Sequence, residues 1–247
     1  MTPAPLKIIV PVYNEGQNIL RTIGQIQANV TAPYSVLIVY DFEADNTLPV
    51  VNELIQEKNI LNISLLRNSY GNGALNAIKT GFDHVEDDDA VLVVMADYSD
   101  DLTKVGDMLA AIHSGYDIVC GSRYMKGGRQ VGGPILKRLL SRMAGLSLHL
   151  IAGIPTHDIS NSFKMYRKSV LKNMKIESRG GFEVGMEIVV KAFFSSCRIT
   201  EVPTTWQDRV AGKSRFKLVK WLPEYIRWYL YALKAQLKKS FKPRKSD

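Results

Sequence analysis

Short apolar runs alternate with segments of mixed polarity along the first half of the chain. The apolar runs predict strands at residues 6–12, 35–40, 63–66, 90–95 and 117–120. The intervening segments predict helices at residues 16–28, 47–58 and 72–85. Strands that alternate with helices are typical of a parallel sheet with crossover helices. The run at 90–95, AVLVVM, is apolar at every position, which favours a strand covered on both faces.

The second half of the chain has a different pattern. Four glycines, Gly127, Gly128, Gly132 and Gly133, form a predicted loop, and a helix of about twenty residues is expected from Pro134. Residues 198–206 predict one strand, and the polar segment DRVAGKSRF follows it. The last helix is expected to begin near Pro223, because proline is favoured in the first helical turn.

The simplest organisation is one domain followed by a helical tail. We expect a nucleotide-binding half at about residues 1–121 and an acceptor half at about 122–216. Residues 217–247 are expected to form an amphipathic, basic helix and tail.

Composition and charge narrow the possible partners. A chain of 247 residues with 46% hydrophobic content fits one large α/β domain. The formal net charge of +8 indicates an anionic partner, such as a nucleic acid, a phosphorylated substrate or an acidic membrane. No uncharged apolar run approaches the roughly 20 residues that cross a bilayer, and no signal-peptide pattern opens the chain. We therefore expect a cytoplasmic protein.

Two residue types exclude other classes of chemistry. The cysteines, Cys120 and Cys197, are too few for a disulfide framework. The four histidines are scattered, so neither a zinc site nor a histidine-based hydrolase is indicated.

Acidic residues follow two of the predicted strands. Asp41 and Asp45 follow the second strand, and Asp97, Asp100 and Asp101 follow the fourth. Ligands of open α/β sheets gather beyond the carboxyl ends of the strands, and carboxylate oxygens suit Mg²⁺ or Mn²⁺. These residues therefore either hold a cation against a nucleotide or, for Asp100 and Asp101, cap the helix that follows.

Several motifs occur in fixed order along the chain. They are IVPVYNEGQNI, VYDFEADNT, RNSYGNGALNAIKTGF, MADYSDD, DIVCGSRYMKGG, HDISNSFKMYR and EVPTTWQDRVAGKS. This ordered series resembles family-2 glycosyltransferases, in particular the dolichyl- or polyprenyl-phosphate mannose synthase branch. The resemblance spans roughly residues 6–216 and implies a single GT-A-type, Rossmann-like domain.

The resemblance implies a donor site for a nucleotide-sugar, either GDP-mannose or a UDP-sugar. Asp97 is expected to take part in catalysis by holding Mg²⁺ or Mn²⁺ against the diphosphate. Met95 replaces the first acidic residue of the family's DxD motif, so Ser99 and Asp100 are additional candidate metal ligands. The other expected donor residues are Pro11, Tyr13, Glu15, Asp41, Asp45 and Asn76.

The resemblance also implies an acceptor site built from cations. Arg123 is expected to face the phosphates or the acceptor, and its alternative is an ordinary surface arginine. Lys137, Arg138 and Ser141 lie within one helical turn, an arrangement that cradles the acceptor phosphate in the lipid-phosphate branch. The late loop is expected to close over the same anion through Arg209, Lys213 and Arg215. The alternative for each of these cations is a solvated basic face.

Three functions are compatible with these motifs. The first is an inverting transfer of a sugar to a polyprenyl phosphate, and the second is a transfer to a saccharide hydroxyl of a lipid-linked glycan. For a hydroxyl acceptor, Asp158 is the candidate general base. The third is a nucleotide-sugar-binding protein without activity, suggested by Met95. Nucleic-acid binding has no recognition motif to support it.

The final helix is expected to lie on an anionic membrane surface. Its broad apolar face consists of Tyr225, Ile226, Trp228, Tyr229, Leu230, Leu233 and Leu237. Tyr and Trp favour the membrane interface, and the basic residues that follow are attracted to anionic lipid. They are Lys238, Lys239, Lys242, Arg244 and Lys245. The alternative is that this helix packs on the domain, on a second copy or on a membrane-protein partner.

Overall fold

The computed structural model describes residues 6–58, 60–86, 90–172, 174–209 and 218–240. The strands in these ranges are β1 (Leu6–Pro11), β2 (Tyr34–Tyr40), β3 (Ile63–Arg67), β4 (Ala90–Val93), β5 (Ile118–Ser122), β6 (Arg129–Val131), β7 (Lys164–Arg167), β8 (Ile199–Pro203) and β9 (Thr205–Gln207). The helices are α1 (Ile19–Asn29), α2 (Thr47–Lys58), α3 (Ala74–Asp83), α4 (Val105–His113), α5 (Ile135–Ala152), α6 (Lys168–Lys172), α7 (Val184–Phe194) and α8 (Leu218–Ser240). A short 3-10 helix, Leu102–Lys104, precedes α4.

One large sheet organises the domain. Its strand order is β3-β2-β1-β4-β7-β5-β8, and a separate pair joins β6 to β9. All strands of the large sheet run parallel except β7, which is antiparallel to both β4 and β5. The expected α/β domain with a mostly parallel sheet and a C-terminal amphipathic helix is therefore confirmed.

Both faces of the sheet are buried under helices. Val91 and Val93 of β4 face a core shared with α3, α5, α7 and α8, whereas Ala90 and Leu92 face the core under α1, α2 and α4. All four residues are buried. This explains the unbroken apolar run at β4 and confirms that the strand is covered on both sides.

The strand expected at residues 198–206 is in fact two strands in different sheets. The chain leaves the large sheet at Thr204, whose N–H donates to Ser122 O at 3.0 Å. β9 then pairs in parallel with β6, with Trp206 opposite Gln130. This change of sheet carries the segment after β8 towards the edge where the acidic residues lie.

The expected start of the last helix was wrong. α8 begins at Leu218, and Pro223 lies inside it. The first turns pack on the domain, because the Trp221 ring stacks on Phe182 with centroids 5.6 Å apart and lies so close to Gly181 that a Cβ there would meet it at 1.8 Å. Tertiary packing thus extends the helix beyond the boundary that proline predicts.

One face of α8 packs on the domain. Trp228 is 1% exposed, and its Nε1 donates to Ser178 Oγ at 3.1 Å. The Tyr229 hydroxyl lies 3.0 Å from Ser147 Oγ of α5. Trp228 was expected on the membrane surface, and this was wrong, since the indole is more favourable in the core where its N–H has a partner.

Helix α5 packs closely on the segment before β7. A Cβ added to Gly145 would lie 2.1 Å from His157 O and 3.3 Å from Asp158 Cα. These neighbours are backbone atoms, which cannot rotate away as a flexible side chain can. Gly145 therefore permits α5 to approach the segment that contains Asp158.

We expect Gly145→Ala to destabilise the protein by about 1–3 kcal/mol, because overpacking must shift one backbone relative to the other. The control is Gly24→Ala in α1, where an added Cβ meets no atom within 4 Å. Gly24→Ala should leave the free energy of unfolding unchanged or raise it by about 0.5–1 kcal/mol. Urea unfolding measures both free energies. Equal stability of the two variants would contradict the close packing at Gly145.

Candidate active site

The acidic residues after β1 and β2 hold two loops together. The Asn14 N–H donates to Asp45 Oδ2 at 3.0 Å, and the Glu15 N–H donates to Thr47 Oγ1 at 2.9 Å. The other carboxylate oxygen of Asp45 accepts the Thr47 N–H at 2.8 Å. Asp45 is buried, so it positions the Asn14–Glu15 turn and does not present a free oxygen to a ligand.

Asp41 connects the end of β2 to the glycine-rich segment. Its Oδ1 accepts the Asn68 side-chain N–H at 2.8 Å, and its Oδ2 accepts the Gly73 N–H at 2.9 Å. Gly73 has φ +112°, a conformation that only glycine adopts readily. This contact brings the loop before α3 to the carboxyl edge of the sheet.

An open aromatic surface lies beside this edge. Tyr13, which follows Pro11, is exposed and packs edge to face against Phe42 with centroids 5.3 Å apart. Asn76 is half-buried, and its Nδ2 donates to Asn72 O at 3.3 Å. Tyr13 is thus the aromatic residue of the expected donor set, and its side chain is open to solvent.

In the acidic loop after β4, the Asp97 and Asp100 carboxylates have different surroundings. Asp100 is half-buried, with Oδ2 accepting the Met95 N–H at 2.9 Å and with Oδ1 enclosed without a hydrogen-bond partner. The pKa of Asp100 is raised to about 7, mainly by burial; the Met95 N–H opposes this rise, and the nearby Asp97 carboxylate contributes to it. Asp97 is partly open and accepts the Ser99 N–H at 3.3 Å.

These residues fit a divalent cation held by few protein ligands. Within the described ranges, no three His, Cys, Asp or Glu side chains converge as a metal site. Mg²⁺ commonly takes only one or two carboxylates and completes its shell with phosphate and water. Asp97 can supply one such ligand, and the buried Asp100 Oδ1 in the same loop has no hydrogen-bond partner.

Arg209, two residues after β9, reaches this acidic loop. The Arg209 guanidinium contacts Asp97 Oδ2 at 2.8 Å and Glu15 Oε1 at 3.5 Å. Arg209 was expected near the acceptor, and the structure places it against Asp97 and Glu15, two residues that were expected to bind the donor. Lys213 and Arg215 lie outside the described residues.

A buried ion pair lies at the end of β5. Arg123 Nε and one Nη contact the two oxygens of Asp158 at 2.6 and 2.8 Å, and the Arg123 N–H also donates to Asp158 Oδ2 at 3.0 Å. Burial acts to lower the pKa of Arg123, but the Asp158 carboxylate holds it above the usual value. Arg123 is therefore not an ordinary surface arginine.

Helix α5 brings Ser141 and Lys137 to this pair. An Arg123 Nη lies 3.3 Å from Ser141 Oγ, and the Tyr124 hydroxyl also contacts Ser141. Burial lowers the pKa of Lys137, and the Arg123 charge lowers it further. The charges of Asp97 and Arg209 also act on Lys137. By contrast, the Arg138 side chain is exposed. The expected cation cluster therefore contains Lys137 and Ser141 beside Arg123, with Arg138 on the outer surface.

Two features of the site had only weak sequence signals. Tyr124, in the motif GSRY, donates to Gln130 Oε1 at 3.0 Å and so links the β5 end to the glycine loop. Lys164 is a fully buried lysine on β7 that donates to Ile159 O at 3.1 Å. A charged residue within the apolar segment SFKMY was the available indication that this strand reaches a polar centre.

Comparison with known proteins supports the family expected from the motifs. The model described as Glycosyl transferase family 2 matches residues 7–175. A dolichol-phosphate mannosyltransferase of Pyrococcus furiosus is 30% identical over 92% of this chain, and the chain spans 63% of that relative's length. A polyprenol monophosphomannose synthase of Mycolicibacterium smegmatis is 27% identical over 87% of this chain and 85% of its own length.

Solved structures support the fold. Glucosyl-3-phosphoglycerate synthase of Mycobacterium tuberculosis, solved with Mn²⁺, UDP and glucosyl-3-phosphoglycerate, aligns with 98% of this chain and 82% of its own chain. The TM-score is 0.63 at 14% identity. The expected GT-A-type fold is therefore confirmed.

We expect Asp158→Asn to destabilise the protein by about 3–5 kcal/mol, because it leaves the Arg123 guanidinium buried without its counter-charge. The control is Glu43→Gln, which breaks the exposed Arg67–Glu43 contact at 3.5 Å and should cost less than about 1 kcal/mol. Denaturant unfolding measures the free energy of unfolding of both variants.

Adding Arg123→Leu to Asp158→Asn should recover part of the loss, since no buried charge then remains. A double variant whose destabilisation equals or exceeds the sum of the two single losses would contradict the ion-pair account.

Proposed function

Since the chain belongs to glycosyl transferase family 2, we propose that it is an inverting glycosyltransferase that moves a sugar from a nucleotide-sugar to a polyprenyl or dolichyl phosphate. The main support for a phosphate acceptor is the group formed by Arg123, Lys137 and Ser141. The names of the two relatives, a dolichol-phosphate mannosyltransferase and a polyprenol monophosphomannose synthase, support the same acceptor class.

A phosphate acceptor is consistent with the contacts that Asp158 makes in the structure. The second pKa of a phosphate monoester is near 6, so the attacking oxygen is already ionised at neutral pH and requires no general base. A saccharide hydroxyl would require one, and both Asp158 oxygens are occupied by Arg123 in a fully buried position. Asp158 is therefore a positioning residue for Arg123 in this proposal, and the hydroxyl acceptor is the second candidate.

The donor side would bind the nucleotide-sugar along the carboxyl edge of β1, β2 and β4. Tyr13 offers its exposed ring to the base, and Asp41 holds the Gly73 loop in place. Asp97 would hold Mg²⁺ or Mn²⁺ with the diphosphate, with Ser99 and Asp100 shaping that loop. When bound, the cation supplies charge that stabilises the departing nucleoside diphosphate.

The reaction we propose is a single displacement. A phosphate oxygen of the acceptor forms a bond to the anomeric carbon while the bond from that carbon to the diphosphate breaks, which inverts the configuration. The role of the protein is to hold two anions in line and to stabilise the leaving group. Arg123 and Lys137 would hold the acceptor phosphate, and the donor half at about residues 1–121 would hold the nucleotide.

We also propose that α5 and α8 together dock on an anionic membrane from the cytoplasmic side. α5 contributes an exposed apolar face, and α8 adds the apolar residues that the domain leaves uncovered. They are Ile135, Leu136, Leu139, Met143, Leu150 and Ile151 of α5, with Ile226, Leu230 and Leu237 of α8. Exposed Arg138 and Arg142 complement anionic lipid at this face. No described helix is apolar enough over its length to cross the bilayer.

Substitutions on the two sides should affect different substrates. Lys137→Ala is expected to raise the acceptor KM about tenfold or more, because charged hydrogen bonds contribute about 1.5–3 kcal/mol, while nucleotide affinity stays within a few fold. Asp97→Ala should abolish turnover and weaken metal-dependent nucleotide binding. Steady-state kinetics and calorimetry separate the two effects.

Arg138→Ala is the matched control, since it removes a neighbouring but exposed cation of the same helix. With a short, soluble acceptor it should behave like the wild type. If Lys137→Ala changes nucleotide affinity alone, Lys137 belongs to the donor site and the acceptor assignment fails. Full activity of the wild type in chelator would contradict the metal assignment.

The membrane face has its own test. Leu139→Asp with Leu150→Asp should abolish binding to anionic liposomes, because two charges would enter the proposed interface. The control is Leu61→Asp, at a leucine that is 91% exposed between α2 and β3, and it should bind like the wild type. Sedimentation with liposomes measures both. If the wild type ignores anionic liposomes at low salt, or dimerises through this face, the proposal is wrong.

A further inference from the structure

One nitrogen of the Arg123 guanidinium has two long contacts beside a short one. This Nη donates to Asp158 Oδ1 at 2.8 Å. It also lies 3.3 Å from Ser141 Oγ and 3.3 Å from Ser160 Oγ. Since N–H···O bonds usually span about 2.7–3.2 Å, Asp158 uses one hydrogen of this nitrogen well, and the serines use the other poorly. An anion at that second hydrogen would make a shorter, charge-assisted bond.

The Ser160 hydroxyl is well placed to help bind such an anion. Ser160 is half-buried in the segment between α5 and β7. Its Oγ lies 3.3 Å from Asp158 Oδ1, which is longer than the usual O–H···O range of about 2.5–3.0 Å. A hydroxyl hydrogen rotates to suit its partners. Ser160 can therefore donate to a ligand while its oxygen still accepts from Arg123, and Asp158 keeps its short contact with Arg123.

The backbone around Ser160 is fixed from two directions. The Asn161 side chain donates to Gly121 O at 2.9 Å, which ties this segment to β5. The Lys164 ammonium donates to Ile159 O at 3.1 Å and also to Asn161 O. Lys164 is fully buried, so these contacts are shielded from water. Ser160 is thus held beside Arg123 before a ligand arrives, which reduces the entropy lost on binding.

We propose that Ser160 is a further binding residue for the acceptor phosphate, opposite Ser141. The group then consists of two cations, Arg123 and Lys137, and two hydroxyls that can donate. A phosphate monoester has three strong acceptor oxygens and suits such a set of donors. This inference rests on the proposed glycosyl transfer and adds to it a ligand from the segment before β7.

Calorimetry with geranyl phosphate, a short prenyl phosphate, tests this role without turnover. Ser160→Ala should weaken binding about tenfold, because it removes a hydrogen bond to a charged group. Ser160→Thr keeps the hydroxyl and should bind within a few fold of the wild type. The matched control is Ser147→Ala, which removes a half-buried hydroxyl of α5 that contacts Tyr229 at 3.0 Å. It should bind like the wild type.

A second set of measurements separates binding from a structural role. Ser160→Ala should raise the acceptor KM and leave kcat, nucleotide affinity and the free energy of unfolding nearly unchanged. If Ser160→Ala binds geranyl phosphate like the wild type while Lys137→Ala does not, the inference is wrong and the proposed function stands. An equal loss of nucleotide affinity, or a clear loss of stability, would also overturn it. A wild type that binds neither geranyl phosphate nor a longer polyprenyl phosphate would contradict both proposals.

Discussion

Two buried charges, those of Arg123 and Asp158, constrain the arrangement of the proposed acceptor side. A guanidinium removed from water is tolerated only where its partner meets it in good geometry, and here the two contacts of 2.6 and 2.8 Å meet that condition. The pair joins the end of β5 to the segment before β7, and Ser141 extends the connection to α5. Gly145 allows the close approach of α5 on which this depends.

The central position of β7 explains why Asp97 and Arg123 lie at the same edge of the sheet. This antiparallel strand lies between β4, which ends at the acidic loop, and β5, which ends at Arg123. The negative charge of Asp97 and the positive charges of Arg123 and Lys137 therefore share one edge of the sheet. Such an edge can hold a cation with a diphosphate on one side and an anionic acceptor on the other.

The pattern of apolar runs predicted the parallel strands and α2 well, because burial on both faces and helical spacing are local signals. It did not predict the crossing of residues 203–205 between two sheets, or the start of α8 before Pro223, because both depend on contacts with distant residues. The motifs identified Arg123 and Asp158 but not their pairing. Arg209 was assigned to the acceptor anion, and no local signal indicated its contact with Asp97.

The proposed acceptor, a lipid phosphate, can be tested directly. The protein is incubated with Mn²⁺, a panel of radiolabelled nucleotide-sugars and either a polyprenyl phosphate or the matching polyprenol, and the label is identified by lipid extraction and mass spectrometry. If the acceptor is a lipid phosphate, one labelled product is expected, a polyprenyl phosphate with a single sugar of inverted anomeric configuration, and none with the polyprenol. Label found on a lipid-linked saccharide, with none on the polyprenyl phosphate, would contradict the proposed acceptor.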